Sequence, residues 1–66
     1  MSFDYRVVFS GDRYAIHEVF YYEDGRVKGW TEDPVVPYGP SVEDLRFELA
    51  KYLEALNRPV LIVGSE

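Results

Sequence analysis

Two turn signals near the start of the chain divide its first 32 residues into three short segments. Gly11-Asp12 fits a two-residue type II′ turn, which needs glycine first, and Asp24-Gly25 fits a type I′ turn. The flanking residues are mostly aromatic or β-branched, and apolar positions alternate in the first segment, as in a half-buried strand. The sequence therefore predicts a three-stranded antiparallel meander, with strands over residues 3–9, 14–22 and 27–32.

A helix signal follows a proline-rich connection over residues 33–40. Ser41 can cap the helix with Asp44 at its third position, and Asn57 and Pro59 are expected to end it. Residues 59–63 are predicted to form a short final strand. The apolar residues of the helix recur every three or four positions and form one stripe, which is Val42, Leu45, Leu49, Tyr52, Leu53 and Leu56.

These elements predict a single α+β domain over residues 1–66, with one helix packed on one face of the sheet. A connection between parallel strands is almost always right-handed. The short fourth strand is therefore expected beside the first, in the strand order 3-2-1-4. Because 66 residues without cysteine give a core near the lower size limit, oligomerisation or a dense aromatic core is expected to supply stability.

The two turns also predict which side chains share a face of the sheet, because cross-strand partners point to the same side. Gly29 is expected to leave room for the helix on the face that the helix covers. The other face, called the outer face below, is expected to lie in water. The helix-side face is Phe3, Tyr5, Val7, Phe9, Tyr14, Ile16, Phe20, Tyr22 and Val27. The outer face is Asp4, Arg6, Val8, Ala15, His17, Val19, Tyr21, Lys28, Trp30 and Glu32.

An aromatic sheet face in water is typical of a protein interface, where tryptophan, tyrosine and arginine dominate the binding energy. Phe47 points away from the apolar stripe and gives a second exposed patch, unless the loop over residues 35–38 folds over it. The alternative for the outer face is that cation–π packing of Arg6 or Lys28 satisfies the rings locally. The predicted partner-binding residues are Arg6, His17, Val19, Tyr21, Lys28, Trp30 and Phe47.

No pattern in the sequence indicates catalysis, a metal site or a cofactor. Glu18 falls on the predicted core face, where a carboxylate needs a partner, and Tyr5, Thr31 and Arg46 are the candidates. An acid–base role for Glu18 lacks a neighbouring nucleophile or second carboxylate. His17 is the one histidine and is expected to form a surface hydrogen bond. The chain is therefore predicted not to be an enzyme.

Twelve acidic and seven basic residues give a net charge of −5. A duplex-binding domain needs a basic stripe, so direct binding of nucleic acid is not expected. An acidic surface suits a basic protein partner. No apolar run reaches membrane-spanning length, and Met1 is not followed by a signal-peptide pattern. We therefore expect a cytoplasmic protein that does not bind membranes.

Most of the chain resembles a group of short hypothetical proteins of bacteria and their phages, a likeness that implies no particular activity. The segments that carry this resemblance are residues 16–22, 24–25, 30–35, 39–41 and 53–61.

The predicted topology is similar to that of the HicB-type antitoxin domain, a partial RNase H-like fold. In that family a glycine, then serine or threonine, then acidic residues open an apolar helix, as Gly39, Ser41, Glu43, Asp44 and Leu45 do here. The resemblance implies binding of a small basic mRNA-cleaving toxin. It does not imply repression, since the chain has no added DNA-binding segment.

The sequence thus predicts a small non-enzymatic protein-interaction module. It is expected to form a homodimer, or to bind a protein partner, through the aromatic outer face. The alternative is a HicB-like antitoxin or a phage-encoded inhibitor, which would neutralise a nucleic-acid-processing protein by means of an acidic surface.

Overall fold

The structure is a computed structural model that describes residues 2–63. Within this range the chain forms one four-stranded sheet in the order β3-β2-β1-β4, with β4 parallel to β1 and the other pairs antiparallel. The α+β class and the strand order are confirmed. The elements are β1 (Ser2–Ser10), β2 (Arg13–Tyr21), β3 (Val27–Trp30), α1 (Val42–Ala55) and β4 (Leu61–Ile62).

The first hairpin has the predicted register. Ser10 pairs with Arg13 across a two-residue turn, and Tyr5 lies opposite Glu18. Gly11 has a φ of 66°, whereas no other residue type in the described range has a positive φ. A type II′ turn needs a positive φ at its first central residue alone, so the turn chemistry of Gly11-Asp12 sets the pairing of β1 with β2.

The second hairpin differs from the predicted type I′ turn. Gly25 donates its backbone N–H to the Tyr22 carbonyl, and the Tyr22 N–H reaches the Arg26 carbonyl at 2.9 Å. Gly25 has a positive φ of 92°, but Asp24 does not. This is a three-residue loop closed by a glycine bulge, the next most common hairpin connection.

The longer loop changes the register next to it. Phe20 still pairs with Gly29 and Val19 with Trp30, as predicted, but Val27 pairs with Tyr21 and not with Tyr22. A two-residue turn at Asp24-Gly25 predicts that Tyr22 pairs with Val27 and Tyr21 with Lys28. Both pairs are wrong, because an irregularity separates Phe20 from Tyr21 in the ladder.

Helix α1 begins as the capping signal predicts. The Ser41 hydroxyl accepts a hydrogen bond from the Asp44 backbone N–H at 3.1 Å, and Glu43 and Asp44 lie in the first turn. A side-chain oxygen at this position satisfies one of the free N–H groups of a helix start. No helix in the described range is long and apolar enough to span a bilayer.

The buried side chains lie on both faces of the sheet. Val7 is buried on the helix side, but Val8 and Val19 on the outer face are the largest fully buried side chains, with exposed fractions of 1% and 0%. Tyr52 and Ala55 contribute the buried apolar surface of α1. The expectation that the outer face lies in water is therefore wrong for its centre, whereas Lys28, Trp30 and Glu32 are exposed as expected.

The helix-side face is correspondingly more open than predicted. Phe3, Tyr14 and Tyr22 are exposed on this face. Val27 was predicted to lie on it, but its pairing with Tyr21 places it on the outer face, so that prediction is wrong. A Cβ atom at Gly29 would meet no atom within 4 Å, so α1 does not approach the sheet there, and the predicted role of this glycine is wrong.

The open face follows from the rotation of α1 about its own axis. The helix turns Glu48, Tyr52 and Ala55 inward, while most of the predicted apolar stripe, including Leu53 at 64%, is exposed.

We predict that Gly25→Val destabilises the protein by about 1–3 kcal/mol, because a β-branched residue rarely adopts a positive φ. The measurement is the free energy of unfolding from urea denaturation. Gly29→Ala is the matched control, since its Cβ meets open space and its φ lies outside the left-handed region; it should change stability by less than about 0.5 kcal/mol. Equal stabilities of Gly25→Val and the wild type would contradict the bulged turn.

Candidate functional site

Three of the predicted partner-binding residues are buried in the structure. Arg6 and His17 are 8% and 7% exposed, and Val19 is fully buried. Their expected exposure is wrong. Of the other outer-face residues predicted to bind a partner, Tyr21 is half-buried, and Lys28 and Trp30 are exposed.

A hydrogen-bond network on the outer face explains the burial of Arg6. Its guanidinium donates from Nη1 to the Tyr21 hydroxyl and from Nη2 to the Pro59 carbonyl, each at 2.9 Å. Tyr21 in turn donates to Asp4 at 2.7 Å, and Asp4 also forms an ion pair with Arg58. Arg6 Nε is buried and has no hydrogen-bond partner among the described residues. These contacts occupy the polar groups of Arg6, Tyr21 and Asp4 within the chain.

His17 is an internal structural residue. Its Nδ1 donates to the Thr31 backbone carbonyl at 2.8 Å, beyond the end of β3. The Thr31 backbone N–H donates to the Glu18 carbonyl, and the Val35 N–H donates to the Ile16 carbonyl. His17 therefore helps to hold the segment after β3 beside β2.

A cleft of about 640 Å³ opens between α1, the sheet and the connection that leads into α1. The connection approaches the helix closely at Gly39, where a Cβ atom would come within 3.0 Å of the Asp44 Cβ and 3.1 Å of the Leu45 backbone nitrogen. The polar and aromatic side chains that line the cleft are Tyr5, Glu18, Thr31, Asp33, Tyr38, Asp44, Phe47, Glu48, Lys51 and Tyr52.

Two tyrosines and one carboxylate form a hydrogen-bonded group in the wall of the cleft. Tyr5 on β1 donates to Glu48 Oε2 at 2.7 Å, and Tyr52 on α1 donates to the same oxygen at 3.3 Å. The two rings meet edge to face with centroids 5.0 Å apart, a favourable aromatic geometry. Glu48 and Tyr52 thus join α1 to β1.

Both tyrosine pKa values lie above the ordinary range. The hydrogen bond to Glu48 raises the pKa of Tyr5 most, followed by burial and by the charge of Glu48. Burial is the main cause for Tyr52, whose pKa is raised further by the charge of Glu48. Both hydroxyls therefore stay protonated at neutral pH and act as hydrogen-bond donors.

The three side chains predicted as partners of Glu18 form their hydrogen bonds or ion pairs with other residues. The Tyr5 hydroxyl donates to Glu48, the Thr31 hydroxyl donates to the Asp33 carbonyl, and the Arg46 guanidinium lies 3.9 Å from Glu43. Glu18 instead lines the cleft, half-buried. The predicted hydrogen bond or ion pair of Glu18 with one of these residues is wrong.

The cleft is strongly acidic. Four carboxylates line it, and Lys51 is the one basic residue in the lining; the acidic residues are Glu18, Asp33, Asp44 and Glu48. The rings of Tyr5, Tyr38 and Tyr52 share the same walls. Carboxylates and aromatic rings together bind cationic side chains. Among the described residues, no group of three or more His, Asp or Glu side chains is placed to hold a metal ion.

Phe47 is exposed, as predicted, and lies at the edge of this cleft. The loop over residues 35–38 lines the same cleft but does not bury the ring, since Phe47 remains 67% exposed. Sequence reasoning missed the role of Glu48, whose position one helical turn before Tyr52 was the available signal.

Comparison of the chain with protein-family models, curated proteins and solved structures finds no match.

We predict that Tyr5→Phe lowers the free energy of unfolding by about 1 kcal/mol at neutral pH. The variant should also lose less stability than the wild type when the pH is raised above about 10. A raised pKa means that the native protein holds the Tyr5 proton more tightly than the unfolded chain does. This contribution is present below about pH 10, the ordinary tyrosine pKa, and is lost as the pH rises above it. The measurement is urea denaturation between pH 7 and pH 12.

Tyr14→Phe is the control for this experiment, because it leaves the contact between Tyr5 and Glu48 intact. It should therefore retain the alkaline loss of the wild type. A Tyr5→Phe protein whose stability falls as steeply as that of the wild type would contradict the assigned hydrogen bond.

Proposed function

We propose that the chain is a non-enzymatic protein-interaction module that binds a basic segment of a protein partner in the cleft. The observation that carries this proposal is the arrangement of four carboxylates and three tyrosine rings around one opening between α1 and the sheet. An arginine or lysine side chain of a partner fits these walls by its charge and by its affinity for aromatic faces.

The geometry favours the cleft over the aromatic outer face as the binding surface. On the outer face, Arg6 and His17 already use hydrogen bonds within the chain and are buried. In the cleft, Oε2 of Glu48 accepts hydrogen bonds from the Tyr5 and Tyr52 hydroxyls. The second oxygen, Oε1, accepts no hydrogen bond from the described residues. A partner can therefore bind in the cleft without breaking a contact of the fold.

The charge of the chain supports the same class of partner. A net charge of −5 attracts basic proteins and speeds their association at low ionic strength. Proteins that process nucleic acid carry basic surfaces, because they must displace the counterions of the phosphates. A nucleic-acid-processing protein is therefore the second candidate partner. The element order β-β-β-α-β and the Ser41-capped helix, on which the HicB-type resemblance rests, favour it.

The test is binding of a fluorescein-labelled peptide of alternating arginine and glycine, followed by fluorescence anisotropy. We predict saturable binding that weakens as salt is added. Replacement of two cleft carboxylates, Glu18→Gln with Asp33→Asn, should weaken the binding by about tenfold, because two partly screened ion pairs are lost while Glu48 keeps its contacts with α1 and β1.

The matched control replaces two carboxylates in the exposed turns, Asp12→Asn with Glu23→Gln, so that net charge changes equally. This variant should bind the peptide within about twofold of the wild type, since the change in long-range attraction alone is screened by salt. If both variants lose affinity equally, net charge and not the cleft governs binding, and the proposed function is wrong.

A further inference from the structure

Helix α1 exposes most of the apolar stripe that the sequence assigns to the core. Val42, Leu53 and Leu56 are 71%, 64% and 61% exposed, and Leu49 is 43% exposed. On β4 and just before it, Ile62 and Val60 are also exposed. These six residues are called the α1–β4 surface below.

The α1–β4 surface lies on the flank of α1 opposite the cleft. At 3.6 residues per turn, Leu49 and Leu53 project from the side of the helix opposite Phe47 and Lys51, which line the cleft. The cleft also contains Thr31 and Asp33, next to β2 and β3, whereas β4 forms the other edge of the sheet. The exposed stripe therefore faces the β4 side.

Strand β4 continues this apolar flank. Ile62 pairs with Phe9 and therefore points to the same side of the sheet as α1. Strand β4 has β1 as a neighbour on one side and is the edge of the described sheet on the other. The helix flank and the sheet edge together leave a one-sided apolar surface.

The whole chain exposes more surface than a compact monomer of its mass, as the isolated protomer of an oligomer does. The chain exposes 5146 Å², whereas a folded monomer of its mass, 7.7 kDa, is expected to expose about 4,300 Å². The excess of about 800 Å² is close to the roughly 800 Å² that each partner buries in a standard interface. The radius of gyration agrees, at 12.6 Å against about 10.8 Å for a compact chain of this length.

We propose that a second copy of the chain binds to the α1–β4 surface, so that the protein is a symmetric dimer. Homodimer interfaces are more apolar than other interfaces, as this surface is. A chain of 66 residues without disulfides also gains from oligomerisation the stability that its small core lacks. A net charge of −5 argues against an anionic membrane as the occupant.

The test is sedimentation equilibrium of the whole chain over a concentration series. The wild type should show a dimer that dissociates on dilution. Leu53→Asp should weaken the dimer by about 30-fold or more, the loss expected when a central interface residue is replaced. Phe47→Asp, an exposed apolar position on the opposite side of the same helix, is the matched control and should dimerise like the wild type.

Far-UV circular dichroism shows whether each variant keeps its helix. If Leu53→Asp unfolds, the dimer mass of Ile62→Lys is the deciding measurement, because Ile62 belongs to the same surface but lies on β4 and not on the helix. A wild type that stays monomeric at the highest concentration, or folded variants of Leu53 and Ile62 that dimerise normally, would overturn the proposal. The Glu18→Gln, Asp33→Asn variant should keep the dimer mass, because neither residue holds α1 on the sheet, so failure of cleft binding and failure of dimerisation are distinguishable.

Discussion

Glu48 determines how α1 lies on the sheet. Its carboxylate accepts hydrogen bonds from Tyr5 on β1 and from Tyr52 on α1 itself. A helix can turn only one side toward a sheet, and this contact selects the side that carries Glu48, Tyr52 and Ala55. The Leu53 side is consequently exposed on one flank, and a cleft with acidic walls opens on the other. The two candidate binding surfaces thus have one physical origin.

Local signals account for the parts of the fold that could be predicted. A two-residue turn with glycine first allows one register, so Gly11 sets the pairing of β1 with β2. Ser41 caps α1 through its own side chain, which needs no distant residue. Asp24-Gly25 was ambiguous, because a type I′ turn and a glycine bulge both place Gly25 at a positive φ. The second hairpin therefore could not be predicted from its turn sequence alone.

The burial of Arg6 on the outer face could not be predicted from alternation, because its partners lie far from it along the chain. Arg6 reaches both Tyr21 and the Pro59 carbonyl, and these contacts join β1, β2 and the segment before β4. Such contacts depend on three distant parts of the chain. The cleft was missed for the same reason, since Glu48 is 43 positions from Tyr5.

The cleft and the α1–β4 surface lie on opposite flanks of α1, so a dimer formed through the second leaves two clefts open. The two associations also differ in their physics. Two copies that each carry a charge of −5 repel one another, and added salt screens that repulsion. Attraction between a basic segment and the cleft carboxylates is screened by the same salt. Added salt should therefore strengthen the proposed dimer and weaken the proposed binding in the cleft, so a salt series separates the apolar surface from the acidic one in a single protein.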